Sequence, residues 1–180
     1  MEKVTLSRLP SNLRRFRGYN FEHSLVKRLN INCWNARRLG GSSTGLPDIV
    51  AVNNVDSILL TIEAKCGSSD ILYVPNDQIE RCFMIKNMFS LYRNRHCILA
   101  FKFMRKKRCI EKGKMVYQSR KLIEYYKLAD SLEDQSTLSD IKCTYNGEVF
   151  TIGSDTIKLD LPDYVMPFCN LKKQINNENV

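Results

Sequence analysis

Apolar residues recur at helical spacing between Gly18 and Asn30, where Phe21, Leu25, Val26 and Leu29 share one side and Lys27 and Arg28 take the other. The spacing predicts a helix there. Cys33 to Arg38 reads as a short strand, followed by a Gly/Ser loop from Leu39 to Leu46. Pro47 then precedes a strand from Asp48 to Val52, and the turn residues Asn53-Asn54-Val55-Asp56 lead into a longer strand, Ser57 to Lys65, rich in Ile, Leu and Thr. After a connector from Cys66 to Val74, Pro75 suits the first turn of a helix running to about Tyr92, with Ile79, Cys82, Phe83, Ile85, Met88 and Phe89 as its apolar positions. His96 to Phe103 is a further strand, Arg105 to Arg108 a basic loop, and Ser119 to about Leu132 a second-half helix. Residues 133–140 are polar. Asn146-Gly147 between Cys143-Thr144-Tyr145 and Glu148-Val149-Phe150 signals a two-residue hairpin, and Thr156 to Leu161 adds a third strand.

This order predicts an α/β fold: a mixed β-sheet flanked by helices, with its core over residues 16–103 and a C-terminal helix and β-hairpin extension. Residues 1–127 read as one domain with basic flanks and 128–180 as an acidic C-terminal extension. At 180 residues, 43% hydrophobic and 26% charged, the chain can bury a real core, which excludes a wholly disordered or collagen-like protein. No apolar run approaches the ~20 residues of a membrane helix. Residues 1–20 carry five Lys/Arg but no apolar block, so no signal peptide is expected. The seven cysteines are widely and irregularly spaced, without a CxxC pair, which predicts free thiols in a reducing cytoplasm rather than a zinc site or a disulfide set.

Charge changes the picture. The net charge is +9, distributed as +7 over residues 1–38, −1 over 39–101, +8 over 102–127, −6 over 128–163 and +1 over 164–180. Two basic blocks flank a near-neutral middle, a distribution suited to phosphate backbones.

The candidate chemistry lies in that middle and in the basic block before it. Glu22 lies three, four and seven residues from Leu25, Val26 and Leu29, so its carboxylate faces the core side of the helix. Asp48 opens an apolar strand after Pro47. Glu63 and Lys65, two apart, share one face at the end of the next strand, opposite Ile62 and Ala64. Half-buried carboxylates are costly unless paired or metal-bound. Pro-Asp followed fifteen residues on by Glu-x-Lys is the pattern of a metal-dependent phosphodiesterase site. Mg²⁺ takes a few carboxylates together with waters and phosphate oxygens, and a neighbouring lysine can orient the attacking water and offset charge growing on phosphorus.

Residues 15–103 resemble the archaeal-type Holliday junction resolvases, a branch of the PD-(D/E)xK nuclease superfamily. The resemblance rests on Arg17-Gly18-Tyr19-Asn20-Phe21-Glu22 with Leu25-Val26, Arg38 and the Ser-containing loop, Leu46-Pro47-Asp48-Ile49-Val50-Ala51, Ile62-Glu63-Ala64-Lys65, Tyr73, Gln78, and Leu99-Ala100-Phe101-Lys102-Phe103. It implies a restriction-endonuclease-like fold, in which Glu22, Asp48 and Glu63 bind Mg²⁺, with Mn²⁺ able to substitute, and Lys65 is catalytic. It also implies a role for a loop serine, Ser42 in preference to Ser43, and for Arg17 and Arg38 (or Arg37) near DNA phosphates.

The expected activity is resolution of four-way junctions by a homodimer, since a two-fold junction is cut on two opposed strands and each chain has one site. A cytoplasmic, nucleoid-associated enzyme without membrane contact is expected. Arg14, Arg15, Arg105, Lys106, Lys107 and Arg108 extend the candidate DNA surface, and the acidic C-terminal extension is a candidate protein-docking surface. A restriction- or repair-type nuclease on duplex or flap DNA, and a non-catalytic nucleic-acid-binding protein on the same fold, are the alternatives.

Overall fold

The structure, a computed structural model, describes residues 11–40, 45–134, 138–153 and 155–169, with side chains from residue 15 onward. In chain order the elements are α1 (Ser11–Leu29), β1 (Trp34–Arg38), β2 (Ile49–Asn53), β3 (Ile58–Gly67), β4 (Ile71–Val74), α2 (Asn76–Met88), β5 (Asn94–Phe103), β6 (Lys106–Glu111), β7 (Lys114–Ser119), β8 (Ile123–Leu128), β9 (Asp140–Thr144), β10 (Val149–Ile152) and β11 (Lys158–Leu159).

The central sheet has the order β1-β2-β3-β5-β8. Its first three strands run antiparallel, and the β2–β3 turn is tied by Asn53, whose Oδ1 accepts from the amides of Val55 and Asp56 (3.0 and 3.1 Å). β3 and β5 are parallel, which requires a crossover, and β4 with α2 supplies it. Alternation along β5 divides the core. Ile98 and Ala100 meet Phe21, Leu25 and Leu29 of α1 on one face, while Leu99, Phe101 and Phe103 meet Ile79, Cys82 and Phe83 of α2 on the other. A strand covered on both faces reads as a solid apolar run, which Cys97 to Phe101 is. The mixed sheet flanked by helices therefore stands as expected.

Several elements differ in detail. α1 begins at Ser11 rather than Gly18, and the connector after β3 contains β4. Residues 119–132 are not a helix: β8 pairs antiparallel with β5, Phe103 facing Ile123 and Ile98 facing Leu128, and only a single 3-10 turn follows at Asp130–Leu132. The physical cause is the open edge of β5, which offers backbone partners that Ile123, Tyr125 and Tyr126 suit better than an exposed helix would. The basic loop at 105–108 is largely strand β6, paired with β7 across a turn at Lys112-Gly113. Both turn residues have positive φ (49° and 75°), the type I′ geometry that two-residue hairpins favour. The β9–β10 hairpin forms as expected, but with Tyr145, Asn146 and Gly147 in the loop, since Cys143 faces Val149.

β9 also pairs with β4, giving a second sheet in the order β11-β10-β9-β4. Ile141, Cys143 and Val149 thereby join the core under α2. All seven cysteines are free thiols; Cys82, Cys97 and Cys143 are buried and Cys33 is exposed. Among the described residues no helix is long and apolar enough to cross a membrane.

Candidate active site

Strand register builds the site. Ile49 pairs with Ile62, so one step further along both chains sets Asp48 against Glu63. Asp48 is fixed from two sides: its carbonyl accepts from the Leu39 amide (3.0 Å) and its Oδ2 from the Ala64 amide (2.9 Å). Glu63 is almost fully buried, and Lys65, on the same face of β3, donates from Nζ to its Oε1 at 2.5 Å. Glu22 arrives from α1, buried beside Phe21 and ion-paired with Arg38 Nε at the end of β1. The Arg38 guanidinium in turn lies 4.7 Å from the centroid of the Tyr19 ring, one helical turn before Glu22. These groups line one cleft of about 590 Å³, together with Arg15 and Gln78.

The electrostatics are those of acids held close in a poor solvent. Burial pushes the Glu63 carboxyl up to about 7; Asp48 adds to the rise, and Lys65 opposes it without overcoming it. Burial also raises Glu22, with Arg38 opposing and Asp48 reinforcing. Ionising both Glu22 and Glu63 is therefore unfavourable unless positive charge enters the cleft. The oxygens present suit a hard divalent cation. Gln78 Oε1 strengthens the fit: it lies in the same cleft, buried, with no hydrogen-bond partner among the described residues. Among the described residues no three His, Cys, Asp or Glu side chains close into a metal cage on their own. A cation here would complete its shell with water and phosphate oxygens, the usual habit of Mg²⁺.

Glu22, Asp48, Glu63 and Lys65 are thus brought together, and Arg38 rather than Arg37 lines the cleft; Arg37 Nη1 bonds its neighbour's carbonyl, Ala36 O, at 2.8 Å. Arg15 lines the same cleft. Arg17 stands next to it, in a groove with Cys66, Ser68, Tyr73 and Arg108. Arg105 and Lys106 lie further along with Arg17 and Tyr117. Lys107 is engaged elsewhere, paired with Asp70 at 2.5 Å. Ser42 lies outside the described residues, as does the side chain of Arg14. Two participants were not assigned from sequence. Tyr19 could have been found from its place three residues before Glu22. Gln78 enters the resemblance as a matching position without a role, because only the tertiary fold brings the first turn of α2 to the end of β3.

A cavity of about 360 Å³ under Arg28, Glu124, Tyr126 and Phe168 is a different case. Its carboxylate among the described residues, Glu124, accepts from the Tyr126 hydroxyl (2.5 Å) and pairs with Arg28 (2.8 Å) and Lys102 (3.1 Å), and these partners hold its pKa below the usual value despite burial.

A family model described as archaeal Holliday junction resolvase (Hjc) matches residues 13–141. A crossover junction endodeoxyribonuclease of Sulfolobus islandicus rod-shaped virus 1 is 34% identical over 76 residues, 41% of this chain and 61% of the viral protein. The chain thus spans about three-fifths of that relative's length. The solved structure of Archaeoglobus fulgidus Hjc, a Holliday junction resolvase from an archaeal hyperthermophile, superposes with a TM-score of 0.47 at 22% identity, covering 72% of this chain and 84% of that one.

Proposed function

This chain belongs to the archaeal Holliday junction resolvase family, and on that premise we propose that it is a Mg²⁺-dependent endodeoxyribonuclease resolving four-way DNA junctions by paired phosphodiester hydrolysis. The observation that carries the proposal is the convergence of Glu22, Asp48, Glu63 and Lys65 in one cleft edged by Arg15 and Arg38. Asp48 and Glu63 would hold Mg²⁺ or Mn²⁺, with Glu22 and the Gln78 carbonyl oxygen beside them. The ion supplies Lewis acidity towards a phosphate oxygen and a more acidic water.

The chain's own residues do the rest. Lys65 lies on the face of Glu63, where its ammonium can orient the attacking water and offset charge growing on phosphorus. Arg15 and Arg38 offer guanidinium forks for the flanking phosphates, and Arg17, Arg105, Lys106 and Arg108 continue the basic path away from the cleft. Two opposed cuts require two sites, so the active species is a homodimer. Met84 and Met88, a turn apart on the outer side of α2, and Leu91 beyond them are exposed apolar residues of the kind a second copy would cover.

The test is incubation with matched four-way junction, flap and linear duplex, each with Mg²⁺ and with chelator. Symmetrical nicks in opposed strands of the junction, lost with chelator, are expected. Preference for linear duplex or flap would instead favour a restriction- or repair-type nuclease. Binding without cleavage in either Mg²⁺ or Mn²⁺ would favour a non-catalytic DNA-binding protein.

A further inference from the structure

The β6–β7 hairpin forms a two-stranded sheet of its own, and its register sorts its side chains onto two faces. One face carries Lys107, Cys109 and Glu111 with Lys114, Val116 and Gln118. Its charges are partly satisfied within the protein: Lys107 pairs with Asp70, and Gln118 Nε2 donates to Glu111 at 2.8 Å. The other face carries Lys106, Arg108 and Ile110 with Met115, Tyr117 and Ser119. Here Ile110 is 61% exposed and Tyr117 43%, so an aromatic ring and an aliphatic pair stand in solvent between basic side chains.

This second face is oriented towards the catalytic cleft. Arg108 shares a groove with Arg17 and Cys66, and Cys66 also lines the cleft holding Glu63 and Lys65. Tyr117 and Lys106 line a second groove that again includes Arg17. The hairpin is also indexed rigidly to the catalytic strand. The segment leaving β3 holds its root: the Arg108 amide donates to Ser68 O (3.1 Å), Lys107 pairs with Asp70, and Arg120 donates to Asp70 Oδ1 (2.8 Å) and Ser69 O (2.9 Å). The Arg120 guanidinium is packed 4.5 Å from the Tyr145 ring centroid, which anchors that clamp to the second sheet.

A ribbon meant only for phosphates would present charge and polar groups. A ring and two aliphatic side chains flanked by cations instead suit nucleobase faces, which stack on aromatics, with phosphates on either side. Base faces are hidden inside linear duplex and become available where helices meet at a branch point. Resting on the resolvase reading above, we propose that the Arg108–Tyr117 face of the hairpin is a branch-point reader: Tyr117 stacks on an unstacked base at the crossover, Ile110 and Met115 support it, and Lys106 and Arg108 take the adjoining phosphates.

The experiment uses the full chain and two DNAs of matched sequence, a four-way junction with 2-aminopurine at the crossover and a linear duplex, both without cleavage-supporting metal. The wild-type protein should change the crossover 2-aminopurine fluorescence on binding. Tyr117→Ala should weaken junction binding about tenfold, within the range of one base–aromatic stack, while duplex binding stays within about twofold. Tyr117→Phe should keep the wild-type junction affinity. The retained duplex binding shows that Tyr117→Ala is folded. No fluorescence change with bound wild-type protein, no loss in Tyr117→Ala, or equal losses on both DNAs would overturn the inference and leave a plain phosphate-binding ribbon. The resolvase reading fails separately: it falls if the wild-type protein with Mg²⁺ leaves the junction uncut, whatever Tyr117 does to binding.

Discussion

Replacing Glu63 with Gln should stabilise the metal-free protein while ending cleavage. The Glu63 carboxyl is almost fully buried against Asp48, and its pKa rises from 4.5 in the unfolded chain to about 7 in the fold. The sign follows from the order of ionisation. Below the unfolded value both states are protonated and the group contributes nothing. As pH rises the unfolded chain ionises first, so stability falls between 4.5 and about 7 and remains lowered above. At about 1.4 kcal/mol per pH unit the cost at alkaline pH is about 3 kcal/mol. Gln keeps the shape of the protonated acid and escapes that cost. For a chain of this size 1 kcal/mol moves the melting temperature by about 2–4 °C, so Glu63→Gln should melt about 6–12 °C higher at pH ~8 and almost level with wild type at pH ~4.

Thermal melts in chelator at several pH values measure this directly. Added Mg²⁺ should raise the wild-type Tm and leave the variant unmoved. A merely structural Glu63–Lys65 ion pair predicts the opposite sign, because Gln would then discard a favourable charge. A variant that melts below wild type at alkaline pH would refute the reasoning, and with it the picture of a carboxylate kept ionised only for a cation.

The same site yields further expectations. Asp48→Asn should abolish junction cleavage while gel-shift binding persists, because the charge is lost and the basic surface is not. Glu22→Gln should retain its fold by circular dichroism and lose about 10²-fold in cleavage rate, the size of one electrostatic contact to a transition state. Mn²⁺ affinity, measured by calorimetry, should rise about tenfold per pH unit up to pH ~7 and then level off, since binding to protonated Glu63 must expel one proton; a flat profile would remove Glu63 from the ligands. Reversing Arg105, Lys106 and Arg108 to Glu should flatten the salt dependence of binding by about 0.9 log units per lost phosphate contact on duplex DNA.

The half of the molecule that holds the candidate site was legible in the sequence because its elements are self-announcing. β2 and β3 are apolar runs rich in Ile, Val and Leu, Pro47 marks the entry to β2, and the two-residue offset of Glu63 and Lys65 fixes their common face without knowledge of the fold. Glu22 was legible for the same reason, since its spacing to Leu25 and Leu29 decides which side of α1 it takes, and both leucines are fully buried. The later half was less legible. Ile123 to Leu128 becomes a strand because β5 leaves an unpaired edge there, a fact of tertiary structure that local propensity does not contain. The density of charge from Arg105 to Arg108 hid a strand behind the look of a loop, although Lys112-Gly113 carried the turn signal that closes it. Gln78 and the Arg38–Tyr19 contact depend on α2 and β1 reaching the same cleft, which no spacing along the chain expresses.

One regularity joins the fold to the chemistry. Among the described residues each carboxylate of the cleft has one cation or amide set against it: Arg38 for Glu22, Lys65 for Glu63, and the Ala64 amide for Asp48. Removing these acids from water is affordable only with compensation, and one cation or one amide per carboxylate is the least that prevents an isolated buried charge. The compensation is incomplete, as the raised pKa values of Glu22 and Glu63 show. A cleft left short of positive charge attracts a divalent cation more strongly than a balanced one would, and the two basic side chains that hold the acids are the ones best placed to turn to phosphate once that cation shares the load. Arg38 stands at the rim, stacked on Tyr19, and Lys65 stands on the face of Glu63. On the proposed function, the same two ion pairs that let the protein fold around buried acids would also keep, within one side-chain length of the cleft, the cations that a phosphodiester substrate needs.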